Sequence, residues 1–329
     1  MSWDIVGQEW AVALLRRGLE TGRLAHAYLL TGPPQVGKTR LARTLAQALN
    51  CEQPNPPCGE CAACRKIENG VHPDVRLVEG EGAGGSIRIE QIRTLQHEAV
   101  LSPYEGRRRV FVLPRMDLAT VEAANCLLKT LEEPPQFVTL VLTAVEADLL
   151  PSTVVSRCQR LDLRPVARDE IESTLQARGL PADRARLLAR LSGGRVGWAF
   201  QAAGDPSLLE RRQQGLEQLA GLLAAGRVER LEYAYKVSRD TDACLDLVEL
   251  WATWWRDLLV LRGHGEEHLL NVDGAGELRS WAAQASVPAT RSMLAVLQAT
   301  AAQLGANVNP RLAMEGLLLQ LPHWQEPAR

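Results

Sequence analysis

Hydrophobic positions follow two different periods along the first half of the chain. Short apolar runs have the length of buried strands and occupy residues 27–30, 72–78, 109–113 and 137–142. Between these runs apolar residues recur every three or four positions, as in residues 87–99 and in the helix after Thr120, and this spacing predicts helices. Thr120 is predicted to be the N-cap of its helix. Strands that alternate with helices predict an α/β fold with a parallel sheet and right-handed crossovers.

From about residue 165 onward only the helical period remains. Residues 166–205 predict a small helical domain, and residues 206–329 predict a bundle of amphipathic helices. Trp251, Trp254 and Trp255 lie at helical spacing, which favours packing inside this bundle over stacking on nucleic-acid bases. The chain is therefore predicted to hold three domains, with the α/β domain over residues 1–165.

A phosphate-binding motif follows the first predicted strand. Residues 31–39 read TGPPQVGKT, which fits G-x-x-x-x-G-K-[ST]. In such a loop backbone N–H groups face phosphate, the lysine reaches the β- and γ-phosphates, and the threonine hydroxyl meets Mg²⁺. A glycine-rich turn can match by accident, but the strand before the loop and the helical spacing after it favour a nucleotide site. The candidate nucleotide-binding residues are Gly32, Pro33, Pro34, Gly37, Lys38 and Thr39.

A compact cysteine cluster lies in an insert over residues 51–64. Cys51, Cys58, Cys61 and Cys64 are spaced C-x6-C-x2-C-x2-C, and prolines and a glycine among them turn the chain back. Four thiolates are the ligand set of a closed structural Zn²⁺ site that has no open position for catalysis. The alternative is four reduced thiols on a loop without metal.

Composition and charge narrow the classes of protein. The chain carries 37 basic and 39 acidic residues, which is unlike a protein that grips nucleic acid alone through a broad basic face. Any contact with DNA is therefore expected to be local or shared with partners. The N-terminal residues lack the features of a signal peptide, and no apolar run approaches the length of a membrane span. We expect a cytoplasmic protein.

Taken together, these motifs resemble those of bacterial clamp-loader subunits of the AAA+ class. The resemblance covers residues 1–200 and includes two blocks that are highly specific to clamp loaders, LLKTLEEPP at 127–135 and SRC at 156–158. Further matches are IVGQ at 5–8, HAYLL at 26–30, the cysteine insert, HPD at 72–74 and AAN at 123–125.

The resemblance implies a subunit of the DNA polymerase III clamp loader, which loads the sliding clamp on primed DNA. Its partners would be subunits of the tau/gamma and delta types in a hetero-pentameric ring, together with the clamp. Residues 166–205 would form the lid domain and residues 206–329 the helical collar of that ring.

Three positions depart from a working ATPase of this family. Where the motor subunits carry an acidic pair for Mg²⁺ and water, this chain has Pro114 and Arg115. Two like unit charges about 4 Å apart repel by about 4 kcal/mol at an effective dielectric near 20, so we expect Mg²⁺ to bind weakly or not at all. Asp117 is expected to cap the following turn. Gly197 replaces the lid arginine that senses the γ-phosphate.

Two other family features are retained. Arg157 in the SRC block matches the arginine finger that one subunit supplies in trans to ATP on its neighbour, although an ordinary surface arginine is the alternative. Thr143 follows a strand and is a candidate polar sensor.

We therefore predict a non-hydrolysing or weakly active subunit with ATP or ADP as a structural ligand. An active tau/gamma-type motor is the alternative, and an AAA+ module outside replication is a third hypothesis that the clamp-loader blocks disfavour.

Overall fold

The computed structural model describes residues 3–81, 85–305 and 308–324. The chain divides into two compact units, Met1–Ile171 with Gly194–Gly197, and Glu172–Gly193 with Trp198–Arg329. All strands of the described residues lie before residue 165. The three-domain division with boundaries at 165 and 205 stays a prediction.

The first unit is built from alternating strands and helices. Its strands are β1 (Ala27–Thr31), β2 (Val75–Leu77), β3 (Arg109–Leu113), β4 (Val138–Ala144) and β5 (Gln159–Asp162). Its helices are α1 (Glu9–Thr21), α2 (Lys38–Asn50), α3 (Ala62–Glu68), α4 (Ile89–Ala99), α5 (Val121–Glu132) and α6 (Ser152–Val155). Thr120 accepts a hydrogen bond from the Ala123 N–H at 3.2 Å, which confirms the predicted N-cap of α5.

The strands form one parallel sheet in the order β2-β3-β4-β1-β5. The predicted α/β class and parallel sheet are thus confirmed. The edge strand β5 was not predicted, because only Leu161 of its four residues is buried and its polar positions hide the strand pattern. In a parallel sheet the carboxyl ends of all strands share one edge, and the loops after β1, β3 and β4 therefore meet there.

Two apolar layers cover the faces of the sheet. Successive side chains of a strand point to opposite faces, so Leu29 packs in the layer with α4 and α5, while Tyr28 and Leu30 pack in the layer with α1 and α2. All residues of β1 and β4 are buried. Their burial on both faces explains why these strands read as continuous apolar runs.

A buried carboxylate fixes the segment that leads into β3. Asp74 accepts hydrogen bonds from the N–H groups of Tyr104, Glu105 and Gly106 at 2.7, 2.9 and 2.8 Å, and Arg109 lies 3.1 Å away. Burial raises the pKa of Asp74, but these N–H groups and the Arg109 guanidinium more than offset it and hold the pKa below its ordinary value.

The second unit is helical throughout the residues that are described. Its helices are α7 (Arg168–Ala177), α8 (Ala182–Leu191), α9 (Val196–Gly204), α10 (Ser207–Ala224), α11 (Arg227–Val237), α12 (Thr241–Arg262), α13 (Ala275–Gln284), α14 (Val287–Gly305) and α15 (Pro310–Gln320). The first residues of α7 and α9 belong to the first unit. Among the helices of the described ranges, none combines the length and the hydropathy that a membrane span requires.

Tryptophans of α12 form the centre of the helical core. Trp251, Trp254 and Trp255 are at most 1% exposed, and the Trp251 Nε1 donates to the Gly215 carbonyl at 2.9 Å. Trp254 meets Trp281 edge-on with ring centroids 5.6 Å apart. The prediction that these residues pack in a bundle is confirmed.

Candidate nucleotide-binding site

The phosphate-loop motif lies between the carboxyl end of β1 and the first residue of α2. Gly32 and Gly37 adopt φ angles of +138° and +108°, which glycine tolerates far better than other residues. A Cβ on Gly32 would lie 2.4 Å from the Leu163 carbonyl oxygen, so no larger residue fits there. The strand, loop and helix that the motif requires are all in place.

Lys38 is turned back onto its own loop. Its Nζ donates to the carbonyl oxygens of Gly32 and Pro33, the second bond being 2.8 Å long. Burial lowers the pKa of Lys38 to about 8; the nearby charge of Asp117 opposes this shift and that of Arg115 adds to it. A phosphate that entered the loop would have to replace the two carbonyls as partner of the ammonium.

The segment after β3 meets the carboxyl end of β4, and Thr143 is the last residue but one of that strand. Thr143 pairs in register with Leu30, and its hydroxyl oxygen accepts the Arg115 N–H at 3.1 Å. Arg115 has a φ of +52°, a left-handed conformation that is uncommon outside glycine. The predicted residues Pro114, Arg115 and Thr143 therefore lie beside the phosphate loop. A hydroxyl that accepts one hydrogen bond can still donate its own proton, so this bond leaves Thr143 able to act as a donor.

Asp117 lies in a short 3₁₀ turn, Met116–Leu118, after Arg115. Its Oδ1 is buried and makes no hydrogen bond among the residues that the structure describes, which argues against the turn-capping role expected from sequence. The charge of Asp117 acts on Lys38. The carboxylate whose charge acts on the lysine of the loop is thus that of Asp117, while Pro114 offers none.

Gly197 packs directly against the phosphate loop. Its N–H donates to the Gln35 carbonyl at 2.8 Å, and a Cβ at this position would lie 2.9 Å from the same oxygen. The position that was aligned with the lid arginine of motor subunits is therefore filled by a close backbone contact. The loss of that arginine stays a prediction, and the contact with Gln35 depends on the fold.

Arg157 lies at the opposite edge of the sheet from the phosphate loop. It precedes β5, whose first residue, Gln159, pairs in parallel with Tyr28, whereas the loop follows the last residue of β1. The intervening strand residues, at about 3.3 Å each, separate the two edges by roughly 13 Å. The Arg157 Nη2 instead lies 2.6 Å from Glu132 Oε1. This partner was not predicted, and the one sign of it in the sequence is that Glu132 lies in the LLKTLEEPP block.

The four cysteines of the insert converge as predicted. Their Sγ atoms all lie within 4.8 Å of one another, and the Cys58 and Cys64 sulfurs are 3.9 Å apart. Tetrahedral Zn²⁺ with bonds of about 2.3 Å would place its sulfurs roughly 3.8 Å apart, so the donor set fits this metal. Backbone N–H groups also donate to the sulfurs, for example that of Cys61 to Cys58 at 3.2 Å. Such bonds stabilise thiolates.

A phosphate loop in a parallel sheet of this strand order, followed by helices, defines a nucleotide-binding fold of the AAA+ class. A DNA polymerase III gamma subunit-related protein of Thermotoga maritima shares this fold. The two align with a TM-score of 0.51 at 18% identity, over 93% of this chain and 97% of that one.

Sequence relatives identify the family. DNA polymerase III subunit delta-prime of Bacillus subtilis is 32% identical over 331 residues, which cover 98% of each chain. DNA polymerase III subunit tau of Escherichia coli is 39% identical over 175 residues, 53% of this chain and 27% of tau. Residues 7–167 match the family described as DNA polymerase III, delta subunit. The chain belongs to the DNA polymerase III delta-prime family.

Proposed function

We propose that this protein is a subunit of the DNA polymerase III clamp loader that hydrolyses ATP weakly or not at all and supplies Arg157 to ATP held by a neighbouring subunit. The observation that carries the proposal is the separation of the two sites. Arg157 precedes β5 and its own phosphate loop follows β1, so the guanidinium and the loop lie at opposite edges of one parallel sheet. An arginine in this position can complete only a nucleotide site outside its own chain.

The surroundings of the phosphate loop support weak hydrolysis. Mg²⁺ prefers oxygen ligands, and the side chain of Pro114 supplies none. The positive charge of Arg115 lies near enough to the loop to lower the pKa of Lys38, and it would likewise repel a cation there. Arginine in trans can raise hydrolysis about 10³-fold to 10⁵-fold in related phosphoryl-transfer enzymes, which is why a subunit without its own activity can still control the reaction. In this role the loop would hold ATP or ADP as a structural ligand.

Exposed apolar positions support assembly through the helical unit. The helices α11 and α15 pack together, and both carry large hydrophobic side chains at the surface. Val228 is 67% exposed and Leu312 is 64% exposed, and the same two helices also expose Leu231, Tyr235 and Leu319. Several large apolar side chains exposed on packed helices are typical of protein interfaces. We propose that it joins this subunit to partners of the tau/gamma and delta types, and that the clamp and primed DNA are met through the assembled ring.

The cysteine insert is proposed to hold one structural Zn²⁺. All four positions around the metal would be taken by Cys51, Cys58, Cys61 and Cys64, which leaves no place for a reacting water. Metal analysis of chelator-washed protein should give one equivalent, and Cys61→Ser should lose it. Cys126→Ser is the matched control, because Cys126 lies outside the cluster. Wild-type protein that contains no metal would show that the insert is a loop without a structural ion.

An active motor is the second candidate, and Asp117 is the observation that favours it. Its buried Oδ1, which has no hydrogen bond within the ranges that the structure describes, lies in the turn after Arg115, where a carboxylate could meet a metal ion. A nucleotide titration with and without Mg²⁺ separates the two candidates. Affinity that does not depend on Mg²⁺ supports the passive role, whereas Mg²⁺-dependent binding that is lost in Asp117→Asn supports the motor.

Hydrolysis assays test the proposal directly. The isolated protein, with primed DNA and clamp present, should show little turnover, and a motor-like rate that vanished in Lys38→Ala would overturn the passive role. In the assembled complex, Arg157→Ala should leave assembly intact and depress hydrolysis. Arg160→Ala is the matched control, since Arg160 is an exposed arginine on the adjoining strand that pairs with Asp162. Equal effects of the two substitutions would remove the finger assignment.

A further inference from the structure

The side chain of Arg157 is held by a carboxylate from a different element of the fold. Its Nη2 lies 2.6 Å from Glu132 Oε1, while its Nη1 donates to the Thr153 carbonyl at 2.9 Å and approaches the Ser156 Oγ at 3.4 Å. Thr153 and Ser156 belong to the turn that carries Arg157 itself. Glu132 is therefore the contact that orients the guanidinium relative to the rest of the sheet domain.

The topology explains why these two residues meet. Helix α5 connects β3 to β4, so it runs back along the sheet and ends at the edge where β4 begins. Glu132 is the last residue of this helix, and the prolines after Glu133 restrict the chain that follows. Arg157 precedes β5 at the same edge.

Glu132 occupies a place where a helix does not favour an acid. The C-terminal end of a helix carries a partial negative charge, and a carboxylate there is destabilising unless a cation compensates it. Arg157 supplies that cation. The position of Glu132 is thus better explained by its partner than by the helix.

The backbone under Arg157 is already fixed without Glu132. The N–H groups of Ser156, Arg157 and Cys158 donate to carbonyls of α6 and its start at 2.9, 3.2 and 3.2 Å. Cys158 packs against the apolar layer beside α4 and α5, and burial raises the pKa of its thiol to about 12. The remaining freedom is that of the long side chain, which is 35% exposed.

We infer that Glu132 is a positioning residue for Arg157, which holds the guanidinium in the direction that meets ATP on the neighbouring subunit. The inference rests on the proposed function of Arg157. Guanidinium has five N–H donors, so the bonds to Glu132 and Thr153 leave others for phosphate oxygens. A side chain that is oriented beforehand loses less conformational freedom when it engages the reacting nucleotide.

The test uses the complete clamp-loader complex assembled with full-length chains. Glu132→Gln keeps the shape of the side chain and removes its charge, and we expect kcat for ATP hydrolysis to fall about 10-fold with an unchanged KM, because binding is left intact and only the orientation of Arg157 suffers. Glu133→Gln removes the adjacent carboxylate and should behave like the wild type. Glu132→Asp, which retains the charge, should recover part of the loss.

A double mutant separates positioning from a structural role. If Glu132 acts only through Arg157, Glu132→Gln should have no further effect on kcat in an Arg157→Ala background. A further loss in that background overturns the inference, as does hydrolysis by Glu132→Gln at or above the wild-type rate while Arg157→Ala is impaired. Normal hydrolysis by Arg157→Ala instead overturns the proposed function, and the inference with it.

Discussion

Arg230 is a buried cation that has no carboxylate partner within the described part of the chain, and its removal should destabilise the helical unit strongly. The residue lies in α11 and is 5% exposed. Its guanidinium donates to carbonyl oxygens at the ends of α10 and α15, where the backbone has no further helical partners. The accepting residues are Leu222, Leu223, Leu318, Leu321 and Pro322.

The expected magnitude follows from these bonds. Three of them are 2.9 Å or shorter, and bonds to a charged donor contribute about 2 kcal/mol each. Arg230→Met would lose this sum of about 6 kcal/mol, but it would also relieve part of the desolvation cost of a buried charge. We therefore expect the free energy of unfolding to fall by about 3–5 kcal/mol. Arg230→Lys, which keeps the charge but not the planar fork, should lose less.

Urea unfolding followed by tryptophan fluorescence measures this change, since Trp251, Trp254 and Trp255 report on the core of the same unit. Arg227→Met is the matched control. Arg227 lies on the same helix but is exposed, so its substitution should change stability by less than about 0.5 kcal/mol. A loss below about 1 kcal/mol in Arg230→Met would show that water satisfies the freed carbonyls and would refute the reasoning.

Three further predictions concern the first unit. Because the pKa of Asp74 is lowered in the folded state, its ionised carboxylate stabilises the fold above about pH 4, and this contribution is lost as the pH falls through the folded-state pKa. The free energy of unfolding of Asp74→Asn, measured at several low pH values, should therefore fall less steeply with acid than that of the wild type. An unchanged slope contradicts this. Because burial lowers the pKa of Lys38 to about 8, nucleotide affinity should fall as the pH rises through that value, whereas the affinity of Lys38→Arg should not change with pH. The same dependence of affinity on pH in both proteins would contradict this. Gly197→Ala would place a Cβ 2.9 Å from the Gln35 oxygen and should cost about 1–3 kcal/mol in thermal unfolding, unlike Gly204→Ala, where the space is open. Equal melting temperatures would count against the close contact.

The local motifs could be predicted from sequence because each depends on neighbours a few residues away. The phosphate loop needs a strand before it and a helix after it, the Thr120 cap needs only the next three residues, and the cysteines of the insert lie within one short segment. The strand periods likewise predicted the parallel sheet. The edge strand β5 escaped because an edge position buries one residue in four and leaves too weak a pattern.

Only the tertiary structure decided which distant segments meet. Sequence alone could not show that Gly197 packs on Gln35, that Asp117 Oδ1 finds no hydrogen bond among the described residues, or that Glu132 forms an ion pair with Arg157. These contacts depend on the strand order and on which edge of the sheet each loop reaches, and neither is encoded in local spacing. A parallel sheet sends the phosphate loop and Arg157 to opposite edges, and the proposed action of Arg157 on a neighbouring subunit rests on this physical separation.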